Sequence, residues 1–141
     1  MKQNIPVSNV MTKSPVIVSP DTTIDQIHNL FELHSFHHLP VLSHGKVVGI
    51  ISKNDYHKVR HMLTYSWSGN PGIKEMYKKT CAADIMSESP VVIEPTDTIG
   101  LAADIFLANT IHALPVIEEG ELVGIVTSHD LLSHAYQSIL K

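Results

Sequence analysis

Two short stretches place a hydroxyl and a carboxylate three residues apart: Ser52 and Asp55 in GIISKND, residues 49–55, and Thr127 and Asp130 in GIVTSHD, residues 124–130. Where a strand gives way to a helix, that pair can do two different things. As a cap, the hydroxyl accepts from the amide three residues on while the acid reaches back, nearly a capping box, and contributes about 1 kcal/mol. As a ligand site, an ionised carboxylate takes both hydrogen bonds of a sugar cis-diol, and the helix's free amides receive a phosphate. The spacing alone leaves both uses open.

The two stretches are copies. Shifting the chain by 75 residues aligns 10–59 with 85–134 without a gap, and 17 of the 50 pairs are identical, among them Met11/Met86, Ser14/Ser89, Pro15/Pro90, His37/His112 and Gly49/Gly124. Such a match marks an internal duplication, so one unit must be read twice. Each begins with a β-rich run, Val16 to Val18 or Val91 to Ile93, stopped by Pro20 or Pro95. A helix follows, with Thr22 and Asp97 as expected N-caps. Its apolar face is Ile24, Ile27, Leu30 and Phe31, matched by Ile99, Ala102, Ile105 and Phe106. Then come Leu39-Pro40-Val41 or Leu114-Pro115-Val116, a tight turn at Gly45 or Gly120, a second strand, and a helix starting near Lys53 or Ser128.

This predicts an α/β fold of two β-α-β-β-α repeats related by a pseudo-twofold axis, with three-stranded sheets packed with helices. The first two strands of each repeat should run parallel and the third antiparallel. The expected divisions are 1–60 for the first repeat, 61–80 for a linker or insertion, and 81–141 for the second. Within the insertion, SGNPG is turn-rich and should break a helix continuing past Arg60, while Tyr65 and Trp67 are available to cap the core or join an interface.

Composition narrows the function. The net charge is −4 with histidine neutral, and lysines are scattered rather than massed, which argues against nucleic acid and a membrane surface as partners. A single cysteine, Cys81, forms no internal disulfide and suits a reducing, cytoplasmic setting. No apolar run reaches membrane-spanning length, and the N-terminus lacks a signal core. Ten histidines raise the question of metal. His57 and His61, four apart on a helix, are the best pair, with His34, His37 and His38 behind them. No Cys or HExxH accompanies them, so no metal site is expected. His34 falls near the helix's buried face. Catalysis is not expected either: Cys81 has no motif-linked base, and the acids lie in two equivalent places rather than as one acid/base pair.

The duplicated Leu-Pro-Val strand and the G-h-x-[ST]-x-x-D junction together resemble a tandem pair of cystathionine-β-synthase (CBS) domains, a Bateman module, across residues 7–60 and 81–135. The resemblance implies a free-standing regulatory module rather than an enzyme. It implies an adenosine-containing ligand (AMP, ADP, ATP or S-adenosylmethionine) in clefts between the repeats, a homodimer, and an effector protein addressed in trans. Carried over residue by residue, it makes Asp55 the ribose ligand and Ser52 its phosphate-side neighbour, with Ser89, Pro90 and Val91 facing adenine. In the second cleft Asp130 and Thr127 take those roles, opposite Ser14, Pro15 and Val16, and Ile50 and Ile125 add apolar surface. Where related proteins often carry basic groups before the Leu-Pro-Val strand, this chain has His37-His38 and His112-Ala113. Imidazole is a poor partner for several phosphate charges near pH 7, which favours AMP over ATP. Two rival functions share the same sequence: a dimerisation scaffold with vestigial clefts, and a histidine-based divalent-metal binder.

Overall fold

The computed structural model describes residues 4–66 and 71–140. Trp67 and most of the SGNPG turn lie outside the described residues. The elements run β1 (Thr12–Lys13), α1 (Ile24–Leu33), β2 (His38–Ser43), β3 (Lys46–Ser52), α2 (Lys53–Ser66), α3 (Pro71–Lys79), α4 (Ala82–Ile85), β4 (Ser87–Glu88), α5 (Ile99–Ala108), β5 (Ala113–Glu118), β6 (Glu121–Thr127) and α6 (Ser128–Leu140). Contacts divide the chain into two compact units, one of Val16–Ser89 and one joining the residues up to Pro15 to those from Pro90 onward.

In each unit the hairpin is the frame. β2 pairs with β3, and β5 with β6, antiparallel in matching registers. The central residues of the turns, His44-Gly45 and Glu119-Gly120, all have positive φ, the type I′ geometry that matches strand twist. Apolar residues close one core beneath each hairpin. In the 16–89 unit it holds Ile24, Ile27, Phe31, Leu39, Val41, Ile51 and Tyr56; in the other, Val7, Ile93, Ile99, Leu114, Val116, Val126 and Leu131. The expected helix faces are therefore buried, with Leu30, Ile105 and Phe106 packed at the margins.

The third strand of each sheet differs from expectation. Val16 to Val18 and Val91 to Ile93 do not form strands; each makes one parallel bridge, Val18 to Val41 and Ile93 to Val116. The sheets are completed by β4 beside β3 and by β1 beside β6, both antiparallel. The reason is close packing over glycine. A Cβ built on Gly124 would stand 2.6 Å from Met11 Sδ and 2.9 Å from the Thr12 carbonyl oxygen, and Gly49 is met in the same way by Met86 and Ser87. The repeated Met and Gly identities are thus one contact made twice.

The caps also move by one residue. Thr23, not Thr22, caps α1 in a full capping box with Gln26, and Thr98, not Asp97, caps α5. Thr22 and Asp97 are engaged backwards instead: the Ser19 amide donates to Thr22 Oγ1 at 3.0 Å, and the Glu94 amide to Asp97 Oδ2 at 2.8 Å. Those turns swing the chain from the bridge residue into the helix.

The predicted insertion is largely helical. α2 runs past Arg60 to Ser66, and α3 brings Tyr77 into the core of the 16–89 unit. Tyr65 is 80% exposed, its ring beside that of His61. His34 is exposed as well, stacked on Phe36 at a centroid distance of 4.8 Å rather than turned inward.

Candidate functional site

At the end of β3 the chain turns directly into α2. Lys53 N–H donates to the His37 carbonyl at 2.7 Å, and Asp55 N–H donates to Ser52 Oγ at 3.0 Å. Two of the four leading amides, those of Lys53 and Asp55, are therefore engaged, and those of Ser52 and Asn54 make up the rest. The Asp55 carboxylate accepts no hydrogen bond among the described residues. Ser52 and Asp55 are both half-buried, and the side chain of His37 is exposed.

The second junction has the same backbone plan and a different carboxylate. Ser128 N–H donates to the His112 carbonyl at 2.9 Å, and Asp130 N–H to Thr127 Oγ1 at 3.1 Å. Here Thr127 N–H also donates to Asp130 Oδ2 at 2.9 Å, which completes the capping box. The capping use is thus fully made at Asp130 and half made at Asp55. One acid is committed to its own helix; the other is available.

The partner segments fall where the register puts them. Ile50 pairs with Ser87, and Ser89 N–H donates to the Val48 carbonyl at 3.2 Å, so Ser89 stands beside β3 in the unit that carries Asp55. Ser14 N–H reaches the Val123 carbonyl at 3.4 Å, beside β6 in the unit that carries Asp130. Ser89 belongs to one unit and Pro90 and Val91 to the other, and likewise Ser14 and Pro15 belong to one and Val16 to the other. Val16 and Val91 are exposed, Ile50 half-buried and Ile125 buried. Ser14 and Ser89 each hold φ at +48°, a left-handed conformation ahead of proline. Such strain in a non-glycine residue costs about 1–3 kcal/mol and tends to be kept where a ligand is held.

His57 and His61 lie exposed along α2, their rings beside Tyr56 and Tyr65. Among the described residues no three His, Cys, Asp or Glu side chains converge as a metal site would need. No helix there is long and apolar enough to cross a membrane. A depression of about 340 Å³ on the 16–89 unit, between Ile17 and the Gln26–Leu33 side of α1, contains none of the predicted site residues.

Sequence reasoning missed one group of residues near the site. Tyr56, next to Asp55, is fully buried, and its hydroxyl is hydrogen-bonded to His28 Nδ1 on α1. One turn on, the Arg60 guanidinium stands beside Tyr77, whose hydroxyl donates to Asp25 Oδ1 at 3.1 Å. Burial pushes the Tyr56 phenol up to about 12, against the pull of Arg60. The signal lay in the differences between repeats: Asp25, His28, Tyr56 and Arg60 align with Gly100, Ala103, Leu131 and Ala135.

Comparison with known proteins bears on this geometry. The family profile described as CBS domain matches residues 7–61 and again 82–136. The uncharacterized protein MJ1426 of Methanocaldococcus jannaschii is 32% identical over 145 residues, with 85% of each chain covered. A CBS domain-containing protein of Dictyostelium discoideum is 30% identical, covering 89% of this chain and 88% of that one. Against MJ1225 of the same archaeon, at 26% identity, the chain spans about half the relative's length, 48%. Among solved structures, CBSX2 in complex with AMP superposes with a TM-score of 0.77 at 27% identity, covering 96% of this chain and 98% of that one. The CBS domain of a CBS domain-containing membrane protein from Sphaerobacter thermophilus does so at 0.73 and 29%, covering 93% and 88%.

Proposed function

From the premise that this chain belongs to the CBS domain family, as a tandem pair, we propose that it is a non-catalytic sensor of an adenosine ligand, AMP first among them. In this reading it acts as a homodimer and passes its state to an effector protein in trans. The observation that carries the reading is the uncommitted Asp55 carboxylate at the head of α2, half-buried beside Ser52 and in the same unit as the strained Ser89. A carboxylate held there has the geometry to take both hydroxyls of a ribose, and charge strengthens each bond. The likeness to CBSX2, a structure in complex with AMP, supports the ligand class. His37, in place of a fixed positive charge, supports AMP, or another adenosine ligand of low charge, over ATP. Regulation of a partner needs about 1–3 kcal/mol of coupling between ligand and partner sites.

One observation favours a different use of the second junction. Asp130 completes its own cap, so a ligand diol there must displace a formed hydrogen bond. The first AMP is therefore assigned to Asp55.

Thermal unfolding against AMP, ADP, ATP, S-adenosylmethionine and Zn²⁺ tests the reading. A ligand at 100 times its Kd adds about 2.7 kcal/mol, a rise of roughly 5–15 °C. Asp55→Ala should abolish the AMP shift and Asp130→Ala should preserve it. No shift with any ligand leaves the scaffold reading; a shift with Zn²⁺ alone, lost in His57→Ala, makes the protein a metal binder.

A further inference from the structure

The two junctions present a puzzle that their own residues do not solve. Ser52-Lys53-Asn54-Asp55 and Thr127-Ser128-His129-Asp130 have equivalent capping chemistry, and the hydroxyl half of the box forms in both. Only Asp130 closes the other half. The cause must lie outside the box.

What differs is the way each helix is held. α6 follows its cap with Leu131, packed in an apolar core, and Ala135 one turn on. α2 follows its cap with Tyr56, hydrogen-bonded to a neighbouring helix, and with Arg60, whose guanidinium stands beside a phenol on another. Tyr56 reaches His28 on α1. Arg60 stands beside Tyr77 on α3, and Tyr77 donates to Asp25 on α1, so polar contacts run across three helices. The two hydrogen bonds have a direction, and with the Arg60 charge beside Tyr77 they restrain the rotation of α2 about its axis, which apolar packing leaves softer. The residue being rotated is Asp55's immediate neighbour.

We infer that Tyr56 and Tyr77 are positioning residues: their bonds to His28 and Asp25, with Arg60 beside Tyr77, hold the first turn of α2 where the Asp55 carboxylate stays out of its own cap. The latch exists in one unit only, because Gly100, Ala103, Leu131 and Ala135 stand in place of Asp25, His28, Tyr56 and Arg60, and Tyr77 belongs to the 61–80 insertion, which has no counterpart in the second repeat. This inference rests on the reading of Asp55 as a ligand group for its purpose, but not for its test.

The test is amide hydrogen exchange by NMR on the full chain without ligand, comparing Ser52 with Thr127. In the unmodified protein the Thr127 amide, bonded to Asp130, exchanges more slowly than the Ser52 amide. In Tyr56→Phe and in Tyr77→Phe, Asp55 should fold back, and Ser52 protection should rise by about tenfold toward that of Thr127. Adding Asp55→Asn to either variant should cancel the gain. A merely structural role for the tyrosines would lower protection throughout the 16–89 unit and leave Ser52 no better protected, and that result overturns the inference. Tyr77, 7% exposed against 0% for Tyr56, keeps its ring in the core as phenylalanine, so this variant keeps the test decisive if Tyr56→Phe fails to fold. AMP affinity is read separately: a tenfold loss in Tyr77→Phe, with binding in the unmodified protein intact, links the latch to the site. If the unmodified protein binds no AMP, the proposed ligand is wrong while the amide comparison still decides the latch.

Discussion

Met11 rests its sulfur on the bare Cα of Gly124, and the backbone of Thr12 follows it down onto β6. A methyl group at position 124 would need Met11 and the strand itself to move. Gly124→Ala should therefore cost about 1–3 kcal/mol by overpacking, read as a lower midpoint in urea with the slope unchanged. Gly49→Ala should do the same beneath Met86. Trimming the sulfur side chain, as in Gly124→Ala with Met11→Ala, should recover only part of the loss, because the Thr12 carbonyl oxygen stays close.

The unequal caps give unequal costs. Asp130→Ala breaks a formed bond to the Thr127 amide and should destabilise the protein by about 1 kcal/mol. Asp55→Ala breaks no such bond, so chemical denaturation should show a loss well below that. Equal losses would mean that Asp55 caps its helix in solution.

Alkaline pH should test the buried phenol. Burial raises Tyr56 from the ordinary 10 to about 12 in the folded chain. Between those values the unfolded chain releases the proton while the folded chain keeps it. Stability is thus full below pH 10 and falls as pH rises toward 12, by about 2–3 kcal/mol at the limit. Tyr56→Phe should flatten that part of the profile, measured as unfolding free energy at pH 9, 10 and 11.

Cys81 should be a slow thiol. Burial, then its 3.3 Å hydrogen bond to Asp84, raises its pKa and keeps the thiolate scarce near neutrality. Alkylation by iodoacetamide at pH 7.5 should lag a free cysteine, and Asp84→Asn should speed it severalfold.

Much of this was readable from residue types because the repeat supplied a second copy of every signal. Leu39-Pro40-Val41, the Gly45 turn and the buried face of Ile24, Ile27 and Phe31 follow from periodicity and turn chemistry, which act locally. The third strand did not, because β1 and β4 are two residues long and owe their pairing to a methionine landing on a distant glycine. Local reasoning placed strands at Val16 to Val18 and Val91 to Ile93, where β-branched residues crowd together but only one bridge forms. The helix caps slipped by one residue for a related reason: Thr22 and Asp97 are good caps that the preceding turn had already engaged. At the site, Ser52, Asp55 and their twins stand at the strand ends as their spacing required. Which acid is free turns on Tyr56, His28, Arg60 and Tyr77, whose meeting depends on three helices and on no spacing.

The pairing of β1 with β6 and of β4 with β3 has a bearing on ancestry. The opening residues of each copy complete the sheet of its twin, never their own. A solitary forerunner of half this length would have left one sheet edge bare, unless two molecules traded their leading segments. Joining two genes end to end would then have turned a bargain between strangers into a bond within one polypeptide. A fragment severed near residue 80 should revert to that older habit and associate with its missing half when the two are mixed.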